Sequence, residues 1–137
     1  MKKIAIISGA DKKYYPFLKN LIMSLEKTKC LEIADLCILD VEKDSSYLDE
    51  VSNYIHNIKK AKFSLKLSFS DAKNWFKLLT ERPFIKDYFP GYENYIWLDA
   101  DTEVLSIDAI RNLAEATNIS ELAIAPEVNE SYVFNNT

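Results

Sequence analysis

The chain has 137 residues, 48% of them apolar and 28% charged, with a formal net charge of −4. A chain of this size reads as one domain that buries roughly 68% of its unfolded surface, so it needs no staples, and the composition excludes intrinsic disorder. Lysines and acids are interspersed, which leaves no basic face for nucleic acid and no polybasic cluster for a membrane.

In chain order, Ile4 to Ile7 reads as a first strand, with Gly9 marking the turn after it. The start Met1-Lys2-Lys3 imitates a signal peptide, but the apolar stretch stops after residue 7, no other segment suits a bilayer, and the expected compartment is the cytoplasm. Tyr14, Phe17, Leu18, Leu21, Ile22 and Leu25 recur at the spacing of an amphipathic helix. Cys30 and Cys37 belong to no Cys-x-x-Cys or Cys/His cluster and read as small core residues. Ala34 to Val41 is a second strand. A second helix is expected through Tyr47, Leu48, Val51, Tyr54, Ile55 and Ile58, with Lys59 and Lys60 at its negative end. Phe63, Leu65 and Leu67 alternate with polar residues and suggest a short third strand, and Ser70 is placed to cap a helix carrying Ala72, Trp75, Phe76 and Leu79. Pro83 and Pro90-Gly91 punctuate a longer connection, then Tyr95 to Leu98 forms a strand. A helix beginning at Ser106 or Asp108 and a fifth strand over Glu121 to Ala125 follow, with a loosely held Asn-rich end from Asn129. This alternation predicts an α/β fold, Rossmann-like, with a mostly parallel central sheet flanked by helices.

The most informative segment is Tyr95-Ile96-Trp97-Leu98-Asp99-Ala100-Asp101, an apolar run that ends in two acids one residue apart. A strand buried on both faces belongs to a parallel sheet, whose carboxyl edge is where open α/β sheets place ligands. On an extended chain Asp99 and Asp101 share a face, and two charges about 6 Å apart repel by about 3 kcal/mol at an effective dielectric of ~20, a cost a divalent cation reverses. Two readings stand: a hard metal site, or an acidic turn in which Asp101 makes a local Asx bond before the next helix.

Gly9 and Gly91 are the only glycines, so neither a Gly-x-Gly-x-x-Gly fingerprint nor a Walker loop can be built. There is no Gly-x-Ser-x-Gly elbow, and His56 reads as a residue on a solvent border. The Asp-x-Asp also resembles that of the haloacid dehalogenase phosphatases. In them the pair ends an early strand and is followed by Thr or Val two residues on, whereas here that position is Glu103 and the strand comes late.

The segments Ala10 to Leu18 and Trp97-Leu98-Asp99-Ala100-Asp101-Thr102 together resemble the nucleotide-sugar half of glycosyltransferases with the A-type fold, nearest to the glycogenin-like and lipopolysaccharide galactosyltransferase group. The resemblance implies that Asp11 and Tyr14 hold a uracil ring, by a carboxylate accepting the imide N–H and an aromatic face stacking on the base. The residues themselves equally allow Asp11 to cap the first helix and Tyr14 to be its first core residue. It further implies that Asp99 contacts the ribose and shares in binding Mn²⁺ or Mg²⁺, that Asp101 ligates the cation bridging the diphosphate, and that a basic residue on the preceding helix, Lys73, touches sugar or phosphate.

The family's third metal ligand, commonly a His far downstream, has no counterpart here, because His56 is the only histidine and lies upstream. The chain is therefore expected to be a nucleotide-sugar-binding domain, residues 1–137, either truncated or completed by a C-terminal half or a partner chain. The expected function is metal-dependent transfer of a hexose from a nucleotide diphosphate sugar, a UDP-sugar by resemblance, to a glycan, lipid or protein acceptor. The alternatives are a Mg²⁺-dependent phosphohydrolase using Asp99 as nucleophile and Asp101 as acid, and a nucleotide-binding α/β module without chemistry.

Overall fold

The computed structural model describes residues 2–64 and 73–125. Four strands form one parallel sheet: β1 (Ile4–Ser8), β2 (Ala34–Asp40), β3 (Asn57–Lys60) and β4 (Asn94–Trp97), in the spatial order β3-β2-β1-β4. β1 pairs on one side with β2, Ile4 opposite Ala34, and on the other with β4, Ile7 opposite Trp97. The two central strands are mostly apolar and buried on both faces, as parallel strands covered by helices must be, with Ser8, Asp35 and Asp40 as their buried polar residues.

One face of the sheet packs α1 (Tyr15–Lys27), the 3₁₀ segment Ser46–Tyr54 and α5 (Ile107–Ala116) around Ile6, Leu36, Ile38 and Ile96. The periodicity of α1 delivers Leu18, Leu21, Ile22 and Leu25 to that core. The opposite face stacks Ala5, Ile7 and Cys37 against Phe89, with Ile85 and Tyr88 of α4 (Ile85–Tyr88) beside them. Two short helices complete the set, α2 (Cys30–Ile33) and α3 (Phe76–Thr80). Cys30 and Cys37 are free and buried, as the sequence suggested, and burial pushes the Cys37 thiol up to about 11. No helix among the described residues is long and apolar enough to cross a membrane.

Several elements differ from expectation. The helix expected to run to Ile58 ends as a 3₁₀ segment at Tyr54, and Ile58, Lys59 and Lys60 form β3. Two forces account for this: the open edge of β2 offers a backbone ladder, and buried Asp40 at its end needs a cation, which Lys60 supplies at 2.6 Å. Of the third strand expected at Phe63, Leu65 and Leu67, Phe63 is irregular, as is Ser64 after it, while Leu65, Leu67, Ser70 and Ala72 lie outside the described residues. The helix expected from Ser70 is described only as α3, after Trp75. Glu121 to Ala125 is not a strand: Leu122 and Ile124 are 70% and 77% exposed, without a sheet partner among the described residues. The Asn-rich end also lies outside the described residues. α5 does begin where expected, with Ser106 Oγ accepting the Asp108 N–H at 3.1 Å.

Candidate functional site

The crevice that gathers the candidate residues lies at the carboxyl edge of the sheet, beyond the ends of β1 and β4, and its volume is about 790 Å³. That is the place a parallel sheet reserves for a ligand and a size that suits one. Gly9 lies at its base, where the chain leaving β1 passes close over β2. A Cβ there would stand 2.6 Å from Leu78 Cδ2 and closer still to the Leu39 carbonyl oxygen.

From Gly9 the chain turns into α1. Asp11 Oδ1 accepts the Tyr14 N–H at 2.9 Å, while the Asp11 carbonyl accepts the same N–H at 3.0 Å. Asp11 thus closes the turn ahead of the helix, and its Oδ2 has no hydrogen-bond partner among the described residues. Tyr14 is not a core residue: its ring is 50% exposed, lines the crevice, and lies 5.8 Å from the Phe17 ring. The two rings form an open aromatic surface beside the Asp11 carboxylate.

β4 supplies the opposite wall. The last ladder bond runs from Leu98 N to Ile7 O at 2.9 Å, and beyond it β1 has turned away. The acid pair consequently does not sit on extended backbone as the sequence suggested. Asp99 to Thr102 form a turn closed by the Thr102 N–H on the Asp99 carbonyl at 3.0 Å. Both acids still line the crevice, and neither the local bond of Asp101 that the acidic-turn reading required nor any other hydrogen bond to its carboxylate is made among the described residues. The turn is anchored from behind, because Val104 N donates to Ser24 Oγ, buried in α1, at 3.0 Å. This bond ties the wall carrying Asp99 and Asp101 to the helix that follows Asp11 and Tyr14.

Asp11, Tyr14, Lys73, Asp99 and Asp101 therefore line a single crevice. His56 stands elsewhere, exposed on the approach to β3, with Nε2 3.6 Å from Asp35 at the amino edge of the sheet.

Arg82 is the residue that sequence reasoning missed. It follows buried Glu81, and its Nη2 donates to Asp99 Oδ1 at 2.5 Å while its Cζ lies 4.8 Å from the centre of the Trp97 ring. Trp97 Nε1 donates to the same oxygen at 2.9 Å. A signal was available: Arg82 is one of two arginines among 17 basic residues. In a lysine-rich chain, a planar cation that stacks and forks marks a place where a lysine does not serve. Burial pushes the Glu81 carboxyl up, but hydrogen bonds from Ser64, Tyr88 and Thr80 outweigh it and leave the group below the usual range. Glu81 is thus an ionised anchor for the segment presenting Arg82.

For a cation, the donor set is two carboxylates. Asp99 Oδ1 is taken by Arg82 and Trp97, whereas Asp99 Oδ2 and the Asp101 carboxylate are free of protein partners among the described residues. No group of three or more His, Cys, Asp and Glu that could hold a metal ion comes together among those residues. Such a set fits a hard cation whose remaining positions go to phosphate and water, and not one held by protein alone.

No family model matches the chain, and no curated protein matches it. Among the solved structures that share its architecture are S. aureus TarS 1–349, with a TM-score of 0.55 and 12% identity over 88% of this chain, and a "putative nucleotide-diphospho-sugar transferase" from Desulfovibrio desulfuricans G20, with a TM-score of 0.54 and 12% identity over 86%. The chain spans 33% of the first and 55% of the second. At that identity the likeness establishes the fold: a Rossmann-like α/β domain built as in these proteins.

Proposed function

We propose that this chain is the donor-binding domain of a metal-dependent glycosyltransferase that moves a hexose from a nucleotide diphosphate sugar, a UDP-sugar, to a glycan, lipid or protein acceptor. The observation that carries the reading is the convergence of Asp11, Tyr14, Lys73, Asp99 and Asp101 on one crevice at the carboxyl edge of a parallel sheet. The fold shared with a nucleotide-diphospho-sugar transferase supports it.

In this reading Tyr14 lends its exposed face to the uracil ring, with Phe17 extending the surface, and the free oxygen of Asp11 accepts the imide N–H. Asp99 Oδ2 receives a ribose hydroxyl and shares in holding Mn²⁺ or Mg²⁺ with Asp101. Bound there, the cation supplies Lewis-acid stabilisation of the charge left on the departing nucleoside diphosphate. Lys73 and Arg82 bring positive charge to the sugar–diphosphate, and Trp75 and Leu79 narrow the crevice on that side.

A thermal-shift panel of UDP-, GDP- and ADP-sugars, with Mn²⁺ or chelator, tests the reading, because a ligand selective for the native state raises its melting temperature. Stabilisation by the UDP-sugar that needs Mn²⁺ and is lost in Asp101→Asn is expected. An equal shift in chelator overturns the metal site, and beryllofluoride trapping on Asp99 would instead identify a phosphohydrolase.

A further inference from the structure

The Arg82 guanidinium is held by contacts that leave much of its hydrogen-bonding capacity unused. Its bond to Asp99 is through one nitrogen to one oxygen, where a guanidinium and a carboxylate can pair through two. Its Nε is buried and has no acceptor among the described residues, although the flat group rests on Trp97. A buried donor without an acceptor is a cost that the fold bears, and the fork presents donors suited to an oxyanion.

The crevice as a whole shows the same economy. Its walls carry Asp11, Asp99 and Asp101 against Lys13, Lys73 and Arg82, three negative charges and three positive. A divalent cation alone would leave this lining with excess positive charge and would meet the guanidinium on the carboxylate it must share. A diphosphate alone would meet Asp99 and Asp101. Only the two together keep the charge near balance.

We infer that Arg82 is a counter-ion shared between Asp99 and an incoming diphosphate, so that cation and diphosphate bind cooperatively through its transfer from one to the other. The inference rests on the nucleotide-sugar reading of the crevice and adds a sign to it. Arg82 opposes the cation when the diphosphate is absent and holds the diphosphate once the cation has taken Asp99. By linkage, Mn²⁺ tightens UDP by the same factor as UDP tightens Mn²⁺.

Calorimetry with MnCl₂ alone, UDP in chelator, and UDP with saturating Mn²⁺ tests this on the unmutated chain and Arg82→Gln. Arg82→Gln is expected to bind Mn²⁺ alone about tenfold more tightly, to bind UDP at saturating Mn²⁺ about tenfold more weakly, and so to keep about a tenth of the coupling, the part that comes from direct attraction between cation and diphosphate. Arg82→Lys, which keeps the charge and much of the stem over Trp97, is expected to bind Mn²⁺ alone as weakly as the unmutated chain and to lose most of the coupling. Arg111→Gln, on α5 and paired with Asp108, should change neither affinity. Unchanged or weaker Mn²⁺ binding in Arg82→Gln, or full coupling in Arg82→Lys, overturns the shared counter-ion while leaving the site intact. If the unmutated chain binds neither Mn²⁺ nor UDP in any combination, the nucleotide-sugar reading fails and the inference falls with it.

Discussion

The Lys60 ammonium lies 2.6 Å from Asp40 Oδ2, and this pair joins the ends of β3 and β2 around a carboxylate with no solvent exposure. Lys60 also donates to the Glu42 carbonyl and to Ser45 Oγ, both at 2.7 Å, while Ser45 Oγ and the Tyr47 hydroxyl donate to Asp40 at 2.6 and 2.9 Å. Burial pushes the Asp40 carboxyl up, but the bonds from Lys60, Ser45, Glu42 N and Tyr47 more than reverse this, and the group stays below the usual carboxylate range. Lys60→Met should therefore destabilise the fold by about 3 kcal/mol, because it leaves a buried charge without its cation. The sign of the pH effect follows. A carboxyl depressed in the folded state stabilises fully above its unfolded pKa of about 4, and that contribution is lost as pH falls through the folded value. Urea titrations should show the gap between the two proteins at pH 7 and a narrower one below pH 4; the same gap at every pH would remove Asp40 as its source.

Gly9 is required by space. Gly9→Ala should cost about 1–3 kcal/mol, since the added methyl meets the Leu39 carbonyl and the Leu78 side chain where β1 turns toward Asp11. The loss should be smaller in a Gly9→Ala, Leu78→Ala double variant than the sum of the singles, because half of the clash leaves with Leu78. Strict additivity in denaturant titrations would show that the two residues do not meet.

The Tyr14 ring is half exposed and contributes little to the core, so its removal separates binding from folding. Tyr14→Ala is expected to weaken UDP by about 1–2 kcal/mol in calorimetry while shifting the melting temperature by only a degree or two, whereas Tyr14→Phe retains most of the affinity. Equal UDP affinity in Tyr14→Ala and the unmutated chain would place the base elsewhere.

Ile4 to Ile7 and Tyr95 to Trp97 are strands by their own composition, since uninterrupted apolar runs have no use for a solvent face, and Leu36 to Leu39 gives the same signal within Ala34 to Asp40. From them followed the parallel sheet and the shared edge that brings Asp11 and Tyr14 to Asp99 and Asp101. Those features are local or follow from one topological rule, and a sequence carries them openly. What tertiary structure alone decided are choices of partner. Ile58 to Lys60 has helical spacing, yet the open edge of β2 and the buried Asp40 carboxylate draw it into β3. Glu121 to Ala125 has strand composition, yet no described strand pairs with it. Asp99 and Asp101 stand on a turn because β1 ends beside Leu98. Arg82 reaches Asp99 across 17 residues of chain, a pairing that no local pattern encodes. Periodicity records what each segment would bury; which neighbour supplies a ladder, a counter-ion or a clash depends on chain brought close only by folding.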